Sequence, residues 1–327
     1  MSSKVTASAQ TTEKKVARTF RFDWRQYVVY IGFVVLLLVF SIVLSGSGFL
    51  TPNNLLNIIR QTAIISVMAV AVTFVIAAAE IDLSIGSLAG LASVVAALSI
   101  QQYGIFAGII AGLLVGVLVG ITNGLLVTRF GIPSFLVTLG MLSVTQGIAM
   151  WISATAPIPI ADTTFNNIFG SGQIGPIPSL VIWPIVFLIV GHVVLRKTTY
   201  GRQVLATGGN TMAARFSGVN TRRIKFLVFL VSSIVASIAG MLYAGHLQSG
   251  RFQWGQGDEL SVIAAVILGG TSLFGGAGSV IGAVIGALLI GLINNGLVLM
   301  GLDTSQQLIV RGLIIILAVA LGRKSAS

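Results

Sequence analysis

The chain has 327 residues, of which 55% are hydrophobic and only 8% charged, and its mean hydropathy is +1.01. A soluble globular domain carries about a quarter of its residues as charges, so that class is excluded in favour of an all-α polytopic membrane protein. The net charge is +11 and there is no cysteine, which removes disulfides, thiolate nucleophiles and Cys-based metal sites.

Taken in order, residues 1–26 are polar and carry Lys4, Lys14, Lys15, Arg18, Arg21 and Arg25 ahead of the first apolar run. No small-residue cleavage site follows a short apolar core, so this segment reads as a cytoplasmic tail and residues 27–327 as a transmembrane domain. A span needs about 20 apolar residues. On that rule about ten are predicted, at 27–45, 62–79, 84–100, 104–128, 134–153, 179–195, 225–248, 259–273, 278–299 and 306–321. With the N-terminus inside, sixteen of the nineteen Lys and Arg fall on inner segments, and only Arg60, Arg251 and Arg311 fall on or near the outer side. This positive-inside pattern predicts that both termini are cytoplasmic and accounts for the net charge without a nucleic-acid partner.

Between the second and third spans, Glu80-Ile-Asp82-Leu-Ser84-Ile-Gly86-Ser87 sets two carboxylates at a boundary where ionisable groups are costly in lipid. Two readings stay open: Asp82 or Ser84 caps the next helix, or the segment lines or gates a passage. Glycines then recur every fourth residue from Gly104 to Gly124, and again at Gly278, Gly282 and Gly286, which puts them on one helix face for close helix contact. Asn123-Gly-Leu-Leu-Val and Asn295-Gly-Leu-Val-Leu end these two stretches, and five spans per half would make two inverted five-helix halves. Pro133 with Ser134 suits a helix start. Four prolines and Asp162 make residues 153–179 the longest external loop, which on composition alone reads as a connector.

The polar island at 196–225 holds seven basic residues between two spans and must be aqueous. Within it, residues 209–218 predict one short helix, with Asn210 or Thr211 as its cap and Gly218 as its end. Leu268-Gly-Gly-Thr-Ser-Leu-Phe-Gly-Gly276 predicts a helix break lining a cavity. It is no phosphate loop, because no Lys follows the glycines and the Walker pattern occurs nowhere in the chain. His192 and His246 have no ligand spacing, so neither a metal site nor a cofactor is expected.

Four of these motifs, in order, resemble the ribose-type permeases of bacterial ABC importers. Asp82, Leu83, Ser84 and Gly86 match that family's GIDLSxG signature, with Glu80 where Gly is commoner. The run from Gly131 to Gly140 and the glycine-loaded run from Leu268 are also similar. In the island, TxYGR is followed by GGNxxAARxSGV, and Ala213, Ala214 and Gly218 fit the AAxxxG core of importer coupling loops, with Met212 where a Glu usually stands. The resemblance implies a non-catalytic membrane subunit in the bacterial cytoplasmic (inner) membrane. Its partners would be an ABC ATPase, an extracytoplasmic sugar-binding protein and a second permease copy, identical or a close paralogue. ATPase coupling would fall to Gly209, Asn210, Ala213, Ala214, Arg215 and Gly218, and passage or gating to Asp82, Ser84, Asn123, Thr271, Ser272, Asn294 and Asn295. Ala214→Arg is expected to uncouple such an importer without unfolding it. The rival reading is an ion- or proton-coupled secondary transporter or channel using Glu80 and Asp82, which needs no docking helix.

Overall fold

The computed structural model describes residues 28–322; the tail at 1–26 and the basic residues Arg323 and Lys324 lie outside the described residues. The chain runs α1 (Val28–Val43), α2 (Pro52–Ala77), α3 (Ile85–Tyr103), α4 (Ile105–Thr128), α5 (Ser134–Ser153), β1 (Ile158–Pro159), α6 (Thr163–Asn166), β2 (Gln173–Ile174) and β3 (Ile177–Pro178). It continues through α7 (Ser179–Lys197), α8 (Thr199–Gly209), α9 (Thr211–Phe216), α10 (Thr221–His246), β4 (Ser249–Gly250), α11 (Asp258–Leu268), α12 (Val280–Leu299) and α13 (Thr304–Gly322). Among the described helices, seven are long and apolar enough to cross a membrane: α2, α3, α4, α5, α7, α10 and α12.

Local chemistry sets the helix ends. Thr51 caps α2 by accepting from the Asn54 amide at 3.4 Å, with Pro52 in the first turn, where a missing N–H costs nothing. Ser279 caps α12 and Asn220 caps α10 in the same way, each at 3.0 Å. Pro133 stands at the cap of α5, one place before its predicted first-turn position.

Two predicted spans change shape. The second begins ten residues early, at Pro52, because Asn54 donates to the Phe49 carbonyl and the amide pair Asn54–Asn295 anchors this turn to α12. The eighth, expected at 259–273, is an 11-residue helix of about 16 Å, too short to cross. It stops because Gly270 takes φ +88 and Gly269 lies against Gly282, where a side chain would overlap the backbone. The 153–179 loop is also more than a connector. Asp162 caps α6, and Phe165 and Phe169 are buried in a stack that continues to Trp183. β1 pairs with β4, while β2 and β3 form a hairpin.

The buried core is built from α2, α3, α10 and α12, while α4, α5 and α7 present broad apolar surfaces to the outside. α4 packs on α10 and α3, α12 packs on α2 and α11, α3 packs on α10, α11 packs on α2, α5 packs on α3, and α13 packs on α11. The glycine face of α4 makes its contact close: Gly112 meets Met241, Gly116 meets Ser233 and Ser237, Gly120 meets Leu230, and Gly124 meets Phe226. One end of the bundle gathers the 78–84, 198–220 and 269–279 segments; the other gathers β1, β4 and α6.

A Cβ at Gly116 would lie 2.5 Å from Ser237 Oγ and 2.6 Å from the Ser233 carbonyl, whereas Gly140 faces open space. Overpacking costs about 1–3 kcal/mol and more against backbone. Gly116→Leu is therefore expected to lose folded, monodisperse protein in detergent, while Gly140→Leu keeps the parent yield.

Candidate functional site

The chain leaves helical geometry at Ala78 and rejoins it at Ile85. Ala79 takes φ +60, unusual for a residue with a side chain, and the next residues run alongside α10, tied to it at Glu80 and Asp82. The Ile81 amide donates to Ser134 Oγ at 3.2 Å, and the Ile81 carbonyl accepts from Thr138 Oγ1 at 3.3 Å. Both hydroxyls come from the first turns of α5, so the similarity of the run from Gly131 to Gly140 has a physical role that sequence reading did not identify.

Asp82 is fully buried and bridges three elements. Its Oδ1 accepts from the Ser84 amide at 3.0 Å and the Ser84 hydroxyl at 2.6 Å, while Oδ2 accepts from Ser232 of α10 at 2.9 Å. Asn123 of α4 donates to Ser84 Oγ at 3.1 Å. Ser84 occupies the cap position of α3 but makes no capping bond with its side chain. The cap expected of Ser84 is not made: its hydroxyl donates to Asp82 and accepts from Asn123 instead of from a backbone amide of α3. Ser232, the twelfth of 26 residues in α10, carried no sequence signal.

Glu80, the departure from the signature, is paired: Lys225 Nζ donates to Glu80 Oε1 at 2.5 Å, with the Glu80 side chain 9% exposed. Lys225, a basic residue of the island, is thus the partner of the atypical acid, while Arg196 donates to the Gly278 carbonyl at 3.1 Å. Arg196, Lys197, Arg202, Arg215, Arg222 and Arg223 remain exposed.

The island itself forms two helices, where the sequence predicted one. α8 was missed because Thr198, its cap at 3.2 Å to the Gly201 amide, sits in a polar run without apolar periodicity. Asn210 caps α9 by accepting from the Ala213 amide at 2.9 Å, and Gly218 ends it at φ +85, as expected. At the end of α8, Gly208 lies against the Ala77 carbonyl of α2 and the Gly276 amide, which donates to that carbonyl at 3.0 Å. Three segments meet there backbone to backbone. Met212, Ala213, Arg215 and Phe216 are exposed, Phe216 at 87%, whereas Ala214 is 5% exposed and packs inward. Ala214 is therefore not the outward-facing position that the expectation for Ala214→Arg requires: an Arg there would meet the chain's own interior.

The residues expected to line a passage lie in three places. Asp82, Ser84 and Asn123 share the network described above. Thr271 is buried and accepts from the Ser279 amide at 3.2 Å, with Ser272 half-buried beside it in the α11–α12 loop. Asn295 is buried and bonded to Asn54 by reciprocal amide bonds of 3.0 and 2.9 Å at the far end of α12, next to half-buried Asn294. Among the described residues, no group of three or more His, Cys, Asp or Glu could hold a metal ion.

A family model described as the branched-chain amino acid transport system / permease component matches residues 54–319. The ribose import permease protein of Bacillus subtilis (strain 168) is 37% identical over 326 residues, covering 98% of this chain and 99% of that protein. The ribose import permease protein of Escherichia coli (strain K12) is 39% identical over 298 residues, covering 89% and 92%. An L-arabinose permease protein of Azospirillum brasilense is 36% identical over 291 residues, covering 88% and 84%.

Removing one partner of a buried ion pair strands the other charge. Glu80→Gln and Lys225→Gln should each lower the thermal unfolding temperature, and the double variant should recover part of the loss. The double-mutant cycle is expected to give a coupling of about 1–3 kcal/mol; additive losses would show that the pair contributes nothing beyond its two side chains.

Proposed function

The chain belongs to the permease family described as the branched-chain amino acid transport system / permease component, and on that premise we propose that it forms the passage by which an ATP-driven importer takes up a monosaccharide. It is a non-catalytic, multi-pass permease subunit of an ABC importer in the bacterial cytoplasmic membrane. The monosaccharide reading draws on the ribose and arabinose permeases among its relatives.

The observation that carries the mechanism is the seat of α8 and α9. A short helix with an exposed apolar face, Met212 and Phe216 one turn apart, stands on a junction that reaches α2 and the α11–α12 loop directly. In this reading the α9 end is cytoplasmic, and a separate ATPase grips Met212, Ala213, Arg215 and Phe216. Gly209, Asn210 and Gly218 shape the helix, and Ala214 roots it. Closure of the ATPase pair then shifts α9, α2 and α12 between two packings, a rigid-body switch. Asp82, Ser84, Asn123, Thr271, Ser272, Asn294 and Asn295 act as polar joints that hold or release those packings. A sugar-binding protein delivers solute at the opposite end, and a second copy, identical or a close paralogue, completes the passage.

Two inverted five-helix halves, α1–α5 and α7 with α10–α13, fit this reading. Exchanging α2 for α10, α3 for α11, α4 for α12 and α5 for α13 turns the first half's packing pairs into the second half's. α2 and α10 are both 26 residues long. Asp82-Leu-Ser84-Ile and Glu259-Leu-Ser261-Val head the third helix of each half. With α1, α11 and α13 counted, ten segments result. The pairing of Glu80 with Lys225 disfavours the ion-coupled rival, since that carboxylate already has its cation.

In proteoliposomes holding the chain with its ATPase and binding protein, uptake of labelled ribose should require ATP. Ala213→Arg should leave the permease yield unchanged yet abolish ATPase co-purification and uptake together, whereas Ala214→Arg should reduce the yield itself. Uptake driven by a proton gradient without ATP would overturn this reading.

A further inference from the structure

Between β4 and α11 the chain makes a second excursion into the bundle. Gly250 lies against the Ser93 carbonyl and Ala97, Gly90 against the Phe252 and Trp254 carbonyls, and Gly86 against the Gly255 carbonyl and Glu259. Residues 250–255 therefore run down the glycine face of α3, from near its outer end to its first turn. Ser93 ties the descent in both directions, donating to the Arg251 carbonyl at 3.0 Å and accepting from the Arg251 amide at 3.1 Å. Gly255 and Gly257 turn the chain at φ +81 and +83.

The depth follows from helix geometry. Gly240 of α10 packs on Ala89, and Gly86 lies one turn further in. At a rise of 1.5 Å per residue, Gly255 sits about 14 Å inside the outer end of α10, well within a hydrocarbon core of about 30 Å. Non-helical backbone at that depth occurs only where it is buried in protein or borders water. Here Gln253 and Gln256 are exposed. Trp254 between them is fixed: its indole donates to the Ser249 carbonyl at 2.7 Å, and its ring is stacked with Tyr243 and covered by the Arg251 guanidinium at 5.4 Å.

We propose that Gln253 and Gln256 are the solute-contacting residues of the passage, their amides offering paired donors and acceptors to the hydroxyls of a monosaccharide at mid-depth. This rests on the importer reading for the identity of the solute, while the water-facing position rests on burial and depth alone. A primary amide donates and accepts at once, which suits a hydroxyl that also does both. Being uncharged, it holds a neutral sugar weakly enough to release it. Trp254 and Arg251 act as positioning residues that keep the two amides turned outward.

The chain has no cysteine, so Gln253→Cys and Gln256→Cys each carry a single thiol, and Leu118→Cys, on an exposed apolar position of α4, serves as the lipid-facing control. In proteoliposomes, a charged methanethiosulfonate should modify the first two and leave the third unmodified. Gln253→Ala and Gln256→Ala should each raise the KM for ribose uptake about threefold to tenfold, the worth of one hydrogen bond, with ATPase co-purification unchanged. Unreactive thiols at 253 and 256, or reactive thiols with an unaltered KM, would overturn the proposal. The labelling needs no ATPase, so failure of ATP-driven uptake in the parent sinks the importer reading while the thiol pattern still decides whether these positions face water.

Discussion

A backbone that leaves the helix inside a bilayer must find partners for the amides and carbonyls it frees, because lipid offers none. This chain leaves the helix at 78–84, where the loop climbs from one end of the bundle along α10, and again at 250–257, and much of the surrounding sequence serves those two breaks. Ser134 and Thr138 receive Ile81, the Asp82 carboxylate receives Ser84, and Ser93 receives Arg251. The hydroxyls come from helices α3 and α5, which fixes where those helices stand. Glycine does the complementary work, since Gly86, Gly90 and Gly255 let the second irregular segment lie against α3 without side chains between them.

The charges are organised by the same constraint. A buried carboxylate with three donors, Asp82, can remain inside because its neighbours replace water around it. Glu80, two residues earlier, has no such set of donors and meets Lys225 instead. The two acids therefore tie one loop to α10 at two heights. Asn123 extends the upper tie to α4, so a shift of α10 cannot leave the loop or α4 unaffected.

Much of this was legible in the sequence. Four-residue glycine spacing announced the α4 contact face, and all four of the glycines from Gly112 to Gly124 meet α10. Asn210 and Gly218 marked the ends of α9 correctly, because caps are local chemistry. What was not legible depends on partners far along the chain. Glu80 gives no hint of Lys225, 145 positions away; Asp82 gives none of Ser232; and Ala214 reads as a surface alanine until α8 and α10 are folded beneath it. The eighth span failed for a related reason. Apolar content measures solubility in lipid, while Gly270 with positive φ decides where the helix stops.

The junction of Gly208, Ala77 and Gly276 has a mechanical consequence. Two main chains touch there with no side chain between them, and one hydrogen bond of 3.0 Å pins the third segment to the same carbonyl. Side chains act as springs, because a rotamer change can take up an ångström of movement at little cost. Main chain in van der Waals contact has no such slack. A displacement of α8 would thus pass directly to the end of α2, a helix of 26 residues whose other end is held by the Asn54–Asn295 amide pair.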